Sequence, residues 1–224
     1  MTMNREIGFE HVTPALRLNA QAPIHELLAN RRSPRAFSDH PVEPVKLKSI
    51  FEAARWSPSS ANEQPWRYIL ATKDDQIFLS LFASLSENNR RWAQHVPVLV
   101  LALAESIYAR TGRSNRHAWY DLGQSVASLS VQATALGVSV HQMGGFDAQQ
   151  LVNTLSIPEG FDPVTMIAIG YADHPESLPE DLQKREEAPR ARRSLDELVF
   201  TEAWGQPSAH LTLEHSLHKQ QYPN

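Results

Sequence analysis

The chain has 224 residues, 42% hydrophobic and 21% charged, which suits one soluble domain below the roughly 250 residues at which chains split into several cores. Its net charge of -4 provides no basic field to draw nucleic acid or anionic lipid. The sequence has no cysteine, which excludes disulfide scaffolds, thiolate-bound zinc, iron–sulfur clusters and thiol catalysis, so any redox chemistry has to come from a bound cofactor.

Residues 1–22 form a mixed, non-periodic arm without an apolar core long enough for a signal peptide, which points to a cytoplasmic protein. Ile24, Leu27 and Leu28 then share one face of a short helical pattern. It runs into Arg31-Arg32-Ser33-Pro34-Arg35, where Pro34 should turn Ser33 extended. Pro44 suits the first turn of a helix carrying Val45, Leu47, Ile50, Phe51 and Ala54 and ending before Pro58. Residues 66–71 read as a strand, 74–85 as a helix, and the Val- and Leu-rich run 96–104 as a buried strand. That run is far short of the roughly 20 residues a membrane helix needs, and no membrane partner is expected.

A long helix follows over 115–136, stopped by Gly137. Trp119, Leu122, Val126, Leu129, Ala133 and Leu136 recur in steps of three and four, while Gly123, Ala127, Ser128 and Ala135 are small. Such a helix fits a central core or the close approach of a partner subunit. Residues 138–142 are a short strand, Asp147 can cap a helix to Leu155, and 164–171 form another apolar strand. The charged, proline-containing stretch 173–189 is expected to be a surface loop. Strands separated by helices suit a mixed sheet covered by helices.

Four constellations carry chemistry. The 31–35 segment packs three guanidiniums and a hydroxyl into five residues, able to neutralise a phosphate and to donate to an electron-poor ring. A short arginine run is, taken alone, more often a solvated face. The turn Pro58-Ser59-Ser60-Ala61-Asn62-Glu63-Gln64-Pro65-Trp66 presents hydroxyls and amides that can hydrogen-bond a flat heterocycle, or simply close a turn. Gly144-Gly145, after a strand, permits close backbone approach. Pro189-Arg190-Ala191-Arg192-Arg193 offers alternate arginines that could grip a phosphate or merely start a basic helix.

In order and spacing these four resemble the nitroreductase family over roughly residues 23–200, with Asn-x-Gln-Pro-Trp the most specific element. The resemblance implies an α+β fold, a mixed, mostly antiparallel sheet sandwiched between helices, with the arm 1–22 and the tail 201–224 as dimer-forming extensions. It implies FMN as cofactor, with Arg31, Arg190 and Arg192, beside Arg32, at its phosphate. Ser33, Arg35, Asn62 and the neighbouring Ser59 would face the pyrimidine edge of the ring, where Arg35 could stabilise negative charge. Gly144 would bring its amide near flavin N5, and Gly145 would let the loop come close. Family members often carry glutamate where Gly144 stands, so the pocket here should be less acidic.

On this reading no side chain serves as catalytic acid or base; the flavin carries the hydride chemistry and the protein orients it. NADH or NADPH would reduce FMN and leave, and a small acceptor such as a nitroaromatic or quinone would follow in a ping-pong scheme, in a homodimer. A flavin-dependent dehydrogenase, a reductive dehalogenase and a non-catalytic flavin-binding protein are the alternatives. No Gly-x-Gly-x-x-Gly, P-loop or Gly-x-Ser-x-Gly element is present. His215 and His218 are a weak metal pair, so no metal is expected. Trp92, His117 and Trp119 suit packing better than a substrate pocket.

Overall fold

The computed structural model describes residues 20–108 and 110–211. They fall into two compact units: residues 26–188, and residues 20–25 with 189–211. In the first unit the order is α1 (Glu26–Asn30), α2 (Pro44–Arg55), β1 (Trp66–Thr72), α3 (Gln76–Ser84), α4 (Glu87–Ala93), β2 (Val98–Glu105), α5 (Ala118–Ala135), β3 (Ser139–Met143), α6 (Ala148–Leu155), β4 (Phe161–Gly170) and α7 (Glu180–Glu187).

The apolar run at β2 dictates the architecture. Its first seven residues are all buried, so both faces of the strand must be covered. Successive side chains point to opposite faces. Leu99, Leu101 and Leu103 enter one core with Phe78 and Leu81 of α3, Trp92 of α4, Leu151 of α6 and Leu182 of α7. Val98, Val100, Ala102 and Ala104 enter the other, with Ile50 and Ala54 of α2 and Leu122, Val126, Leu129 and Ala133 of α5. The strand order is β1-β2-β4-β3, and every pairing is antiparallel. Among the described residues the sheet thus lacks the parallel pairing that a mixed sheet would contain. The β2–β4 register shifts between Ala102 and Leu103, beside Pro163. A proline lacks the N–H for the ladder and is tolerated at such a break.

Most local signals act as expected. Pro44 stands in the first turn of α2, and Asp147 accepts from the Gln150 amide at 2.9 Å to cap α6. Gly137, at φ +70°, ends the long helix. The small residues Gly123 and Ala127 of α5 are exposed, as are Trp119 and Tyr120. One expectation fails: the 173–189 stretch is not all loop, because it contains α7, which buries Leu182 and Glu186. The polar α4 was also unforeseen. Within the second unit the Leu-Asp-Glu-Leu-Val segment forms only a short 3-10 turn, Leu195–Glu197, closed by a Ser194–Glu197 capping box. Gln21 Oε1 accepts the Leu195 amide there at 2.6 Å. No described helix is long and apolar enough to cross a membrane. His215 and His218 lie outside the described residues.

Candidate functional site

The arginine segment is built in from three directions. After it, Phe37 bridges Ala172, Ser38 N donates to Tyr171 O and Asp173 N to Ala36 O, both at 3.0 Å, so the chain lies along the end of β4. Beneath it, Phe37 stacks on Trp92 at 6.0 Å, and Trp92 lies 4.6 Å from the ring of His141. Within it, His141 donates from Nδ1 to Pro34 O at 2.8 Å, a direction fixed because a carbonyl can only accept. The third support is Glu186 of α7. Its carboxylate accepts the Arg35 amide at 3.0 Å and lies 3.8 Å from the Arg35 guanidinium and 3.9 Å from that of Arg32. Arg32 also donates to Glu186 O at 3.0 Å. Glu186 is 8% exposed, so its charge is screened chiefly by these arginines. Arg35 is therefore not a bare guanidinium: part of its charge is answered by Glu186. Arg31 donates to Ser33 Oγ at 3.2 Å, joining two of the expected ligand-facing groups.

His141 is the titrating member of this assembly. Burial holds its imidazole below the usual 6.5, the Pro34 carbonyl opposes that shift, and the charges of Arg35 and Arg31 add to it. The unfolded chain therefore binds the proton more readily than the folded one. Stability is fully present above pH 6.5 and is lost as pH falls from there through the lowered folded value. Urea unfolding between pH 8 and 5 should show this fall, and His141→Gln should flatten it; an unchanged slope would place the acid sensitivity elsewhere.

Gly144 and Gly145 leave β3 beside α4. Gly145 O accepts from Ser86 N at 2.9 Å and from Asn89 Nδ2 at 3.0 Å. A Cβ at Gly145 would stand 2.8 Å from Ser86 Oγ, so glycine is needed for this approach. A Cβ at Gly144 would meet nothing within 4 Å, so its backbone opens onto space.

The Ser59 turn is strained. Ala61, Asn62 and Gln64 have φ of 51°, 56° and 51°, three left-handed non-glycine residues within four positions. Ser59 Oγ accepts the Gln64 amide at 3.0 Å, and Asp121 of α5, 1% exposed, accepts the Ser60 amide at 3.0 Å. Held backbone strain of this kind clusters at functional sites.

The candidates fall into two groups. Arg31, Arg32, Ser33 and Arg35, with Gly144 and Gly145, lie at the β3 edge, toward the α3, α4, α6 and α7 face. Ser59 and Asn62 precede β1 at the opposite edge and are anchored to α5 on the other face. Three strand spacings of about 4.8 Å separate the edges. Arg190 and Arg192 belong to the second unit, where Arg192 donates to Ala191 O at 2.7 Å. Trp92 is core, as expected, whereas Trp119 is 57% exposed and donates from Nε1 to Asp162 at 2.8 Å. Asp121 and Glu186 were missed, since a carboxylate in a polar helix turn gives no sign of burial. No group of three or more His, Asp or Glu able to hold a metal occurs among the described residues.

A family model described as the nitroreductase family matches residues 28–171, which include both groups. A crystal structure of an oxidoreductase containing FMN is similar at 33% identity and a TM-score of 0.80, covering 86% of this chain and 98% of that one. A nitroreductase family protein of Clostridium difficile 630 shares the fold at 22% identity and a TM-score of 0.62, covering 80% of this chain and 97% of that one. A Stenotrophomonas maltophilia protein provisionally named NADH dehydrogenase/NAD(P)H nitroreductase is 25% identical over 170 residues, 68% of this chain and 86% of its own length.

Proposed function

Because the chain belongs to the nitroreductase family, we propose that it is an FMN-dependent oxidoreductase that takes hydride from NADH or NADPH and passes electrons to a small acceptor such as a nitroaromatic or quinone. The FMN-containing relative at 33% identity and the Stenotrophomonas relative's name support cofactor and donor. This chain's own atoms fit the cofactor: a basic, hydroxyl-bearing segment suits a phosphate and the polar rim of a ring, and the backbone at Gly144 is open to a flat ligand. When bound, FMN supplies the hydride chemistry. Arg31 and Ser33 bind it, Glu186 and His141 fix the segment that carries them, and Asn62 supplies an amide to the ring. Donor and acceptor would use this site in turn.

The observation that carries the reading furthest is the split of the candidates between two sheet edges. The split supports a homodimer as the working unit, in which a cofactor that contacts both groups draws them from two chains. The exposed surface of α5, with Tyr120, Gly123 and Ala127, suits such a contact. Purified protein is expected to be yellow, to release FMN rather than FAD on extraction, and to scatter light as a dimer. Anaerobic addition of NADH or NADPH should bleach the flavin, and a quinone should restore it. Colourless protein that ignores added FMN, or a flavin-loaded monomer at micromolar concentration, would remove the reading.

A further inference from the structure

The strained turn and the loop after β2 line an open cavity of about 240 Å³, formed by Ala61, Glu63, Tyr108, Arg110, Thr111 and Arg113. The two arms of the loop are tied to each other. Ile107 bridges Ser114, Tyr108 N donates to Arg113 O at 2.8 Å, and Gly112 N donates to Tyr108 O at 2.9 Å with Gly112 at φ +64°. Two arginines are thus presented from one short, internally bonded loop. Arg67 at the start of β1 is paired with Glu105 at 2.7 Å, whereas Arg110 and Arg113 form no ion pair among the described residues. The half-buried Glu63, one residue beyond Asn62, lines the same cavity.

This donor set is mixed, and the mixture is informative. Two guanidinium forks and the Thr111 hydroxyl suit a dianionic diphosphate. A carboxylate would repel an anion at its own position but accepts well from sugar hydroxyls, the way an acidic residue reads a ribose in dinucleotide sites. A ligand satisfying both carries phosphate and vicinal hydroxyls together. The cavity also adjoins Asn62, the residue read as facing the redox ring. We propose that this cavity docks the ribose–pyrophosphate portion of the pyridine dinucleotide donor, with Arg110 and Arg113 on the pyrophosphate and Glu63 on a ribose hydroxyl. The proposal rests on the oxidoreductase reading and adds the place where the donor is held; with Glu63 on the nicotinamide ribose, which NADH and NADPH share, the site is indifferent to the 2′-phosphate on the other ribose.

The test is calorimetric binding of NAD+ and NADP+ to FMN-loaded wild type and to Arg110→Met/Arg113→Met. Anaerobic bleaching by 1-benzyl-1,4-dihydronicotinamide, which lacks ribose and phosphate, is followed in parallel. The double variant is expected to raise both Kd values alike, by about tenfold or more, as charge-assisted hydrogen bonds are lost. FMN content and the bleaching rate with the simplified donor stay at wild-type values. Glu63→Gln should weaken both nucleotides by a smaller factor. Unchanged Kd values overturn the proposal, as does a rise confined to NADP+, which would assign the arginines to the 2′-phosphate. Loss of FMN in the double variant overturns it too, by assigning the cavity to the cofactor, and slower bleaching by the simplified donor does so by showing a general defect. Wild type bleached by the simplified donor but with nucleotide binding indifferent to both arginines sinks the docking site alone. Wild type that binds neither nucleotide sinks the docking site and the donor reading together.

Discussion

Glu186→Ala is expected to lower stability by about 2–3 kcal/mol and to loosen FMN at least about tenfold, the scale of losing a hydrogen bond to a charged group. The carboxylate accepts the Arg35 amide and stands 3.8 Å and 3.9 Å from two guanidiniums that are themselves only 28% and 29% exposed. The partial exposure of the arginines keeps the ion-pair share below about 1 kcal/mol, so most of the loss comes from the amide. Glu186→Gln separates the two contributions. Its amide oxygen can still hold Arg35 N–H, while removing the negative charge leaves the segment more attractive to an anionic phosphate. Stability should fall by only about 1 kcal/mol, and FMN should dissociate no faster than from wild type. Urea unfolding with stopped-flow flavin release measures both. If glutamine loosens FMN as much as alanine does, the charge rather than the held amide matters and the positioning role is wrong.

Asp121→Ala should have an effect of similar size at the opposite edge. The three left-handed residues of the Ser59 turn each cost of order 1–3 kcal/mol, and such strain persists only while neighbours impose it. The Asp121 bond to Ser60 N and the Ser59 bond to Gln64 N are the imposing contacts. Without the carboxylate the turn relaxes, Asn62 leaves its position, and FMN affinity measured by fluorescence quenching should fall by about two orders of magnitude, the upper range for such a bond. Asp121→Asn retains an acceptor and should recover most of it. Ala61→Gly, which relieves left-handed strain without touching these bonds, should raise the melting temperature. Wild-type FMN affinity in Asp121→Ala would remove this turn from the binding surface.

What the sequence disclosed and what it concealed divide along physical lines. β2 was legible because burial on both faces demands an unbroken apolar run, and α6 because a capping Asp acts locally. The helix α7 was hidden by its composition. Glu-Asp-Leu-Gln-Lys-Arg-Glu-Glu has one apolar residue, and its helix is secured by burying Leu182 and Glu186, four residues apart on one face, against groups remote in sequence. α4 was hidden in the same way, with only Trp92 and Ala93 buried. The strain at Ala61 and Gln64 left no mark, since left-handed positions are ordinarily signalled by glycine or, as at Asn62, by asparagine. The residues that could touch a cofactor were legible as types. Their separation onto two edges was not, because strand order is a property of the folded sheet.

That separation has a genetic consequence. In the proposed homodimer each binding place takes its arginine segment from one chain and its Asn62 turn from the other. A lesion at Ser33 or Arg35 and a lesion at Asn62, each inactivating alone, should therefore complement when the two mutant chains are expressed together. One binding place of the mixed dimer then inherits both defects and the other inherits none. Two lesions drawn from the same group should never rescue one another, so crossing pairs of alleles would sort the residues into their two sets without a structure.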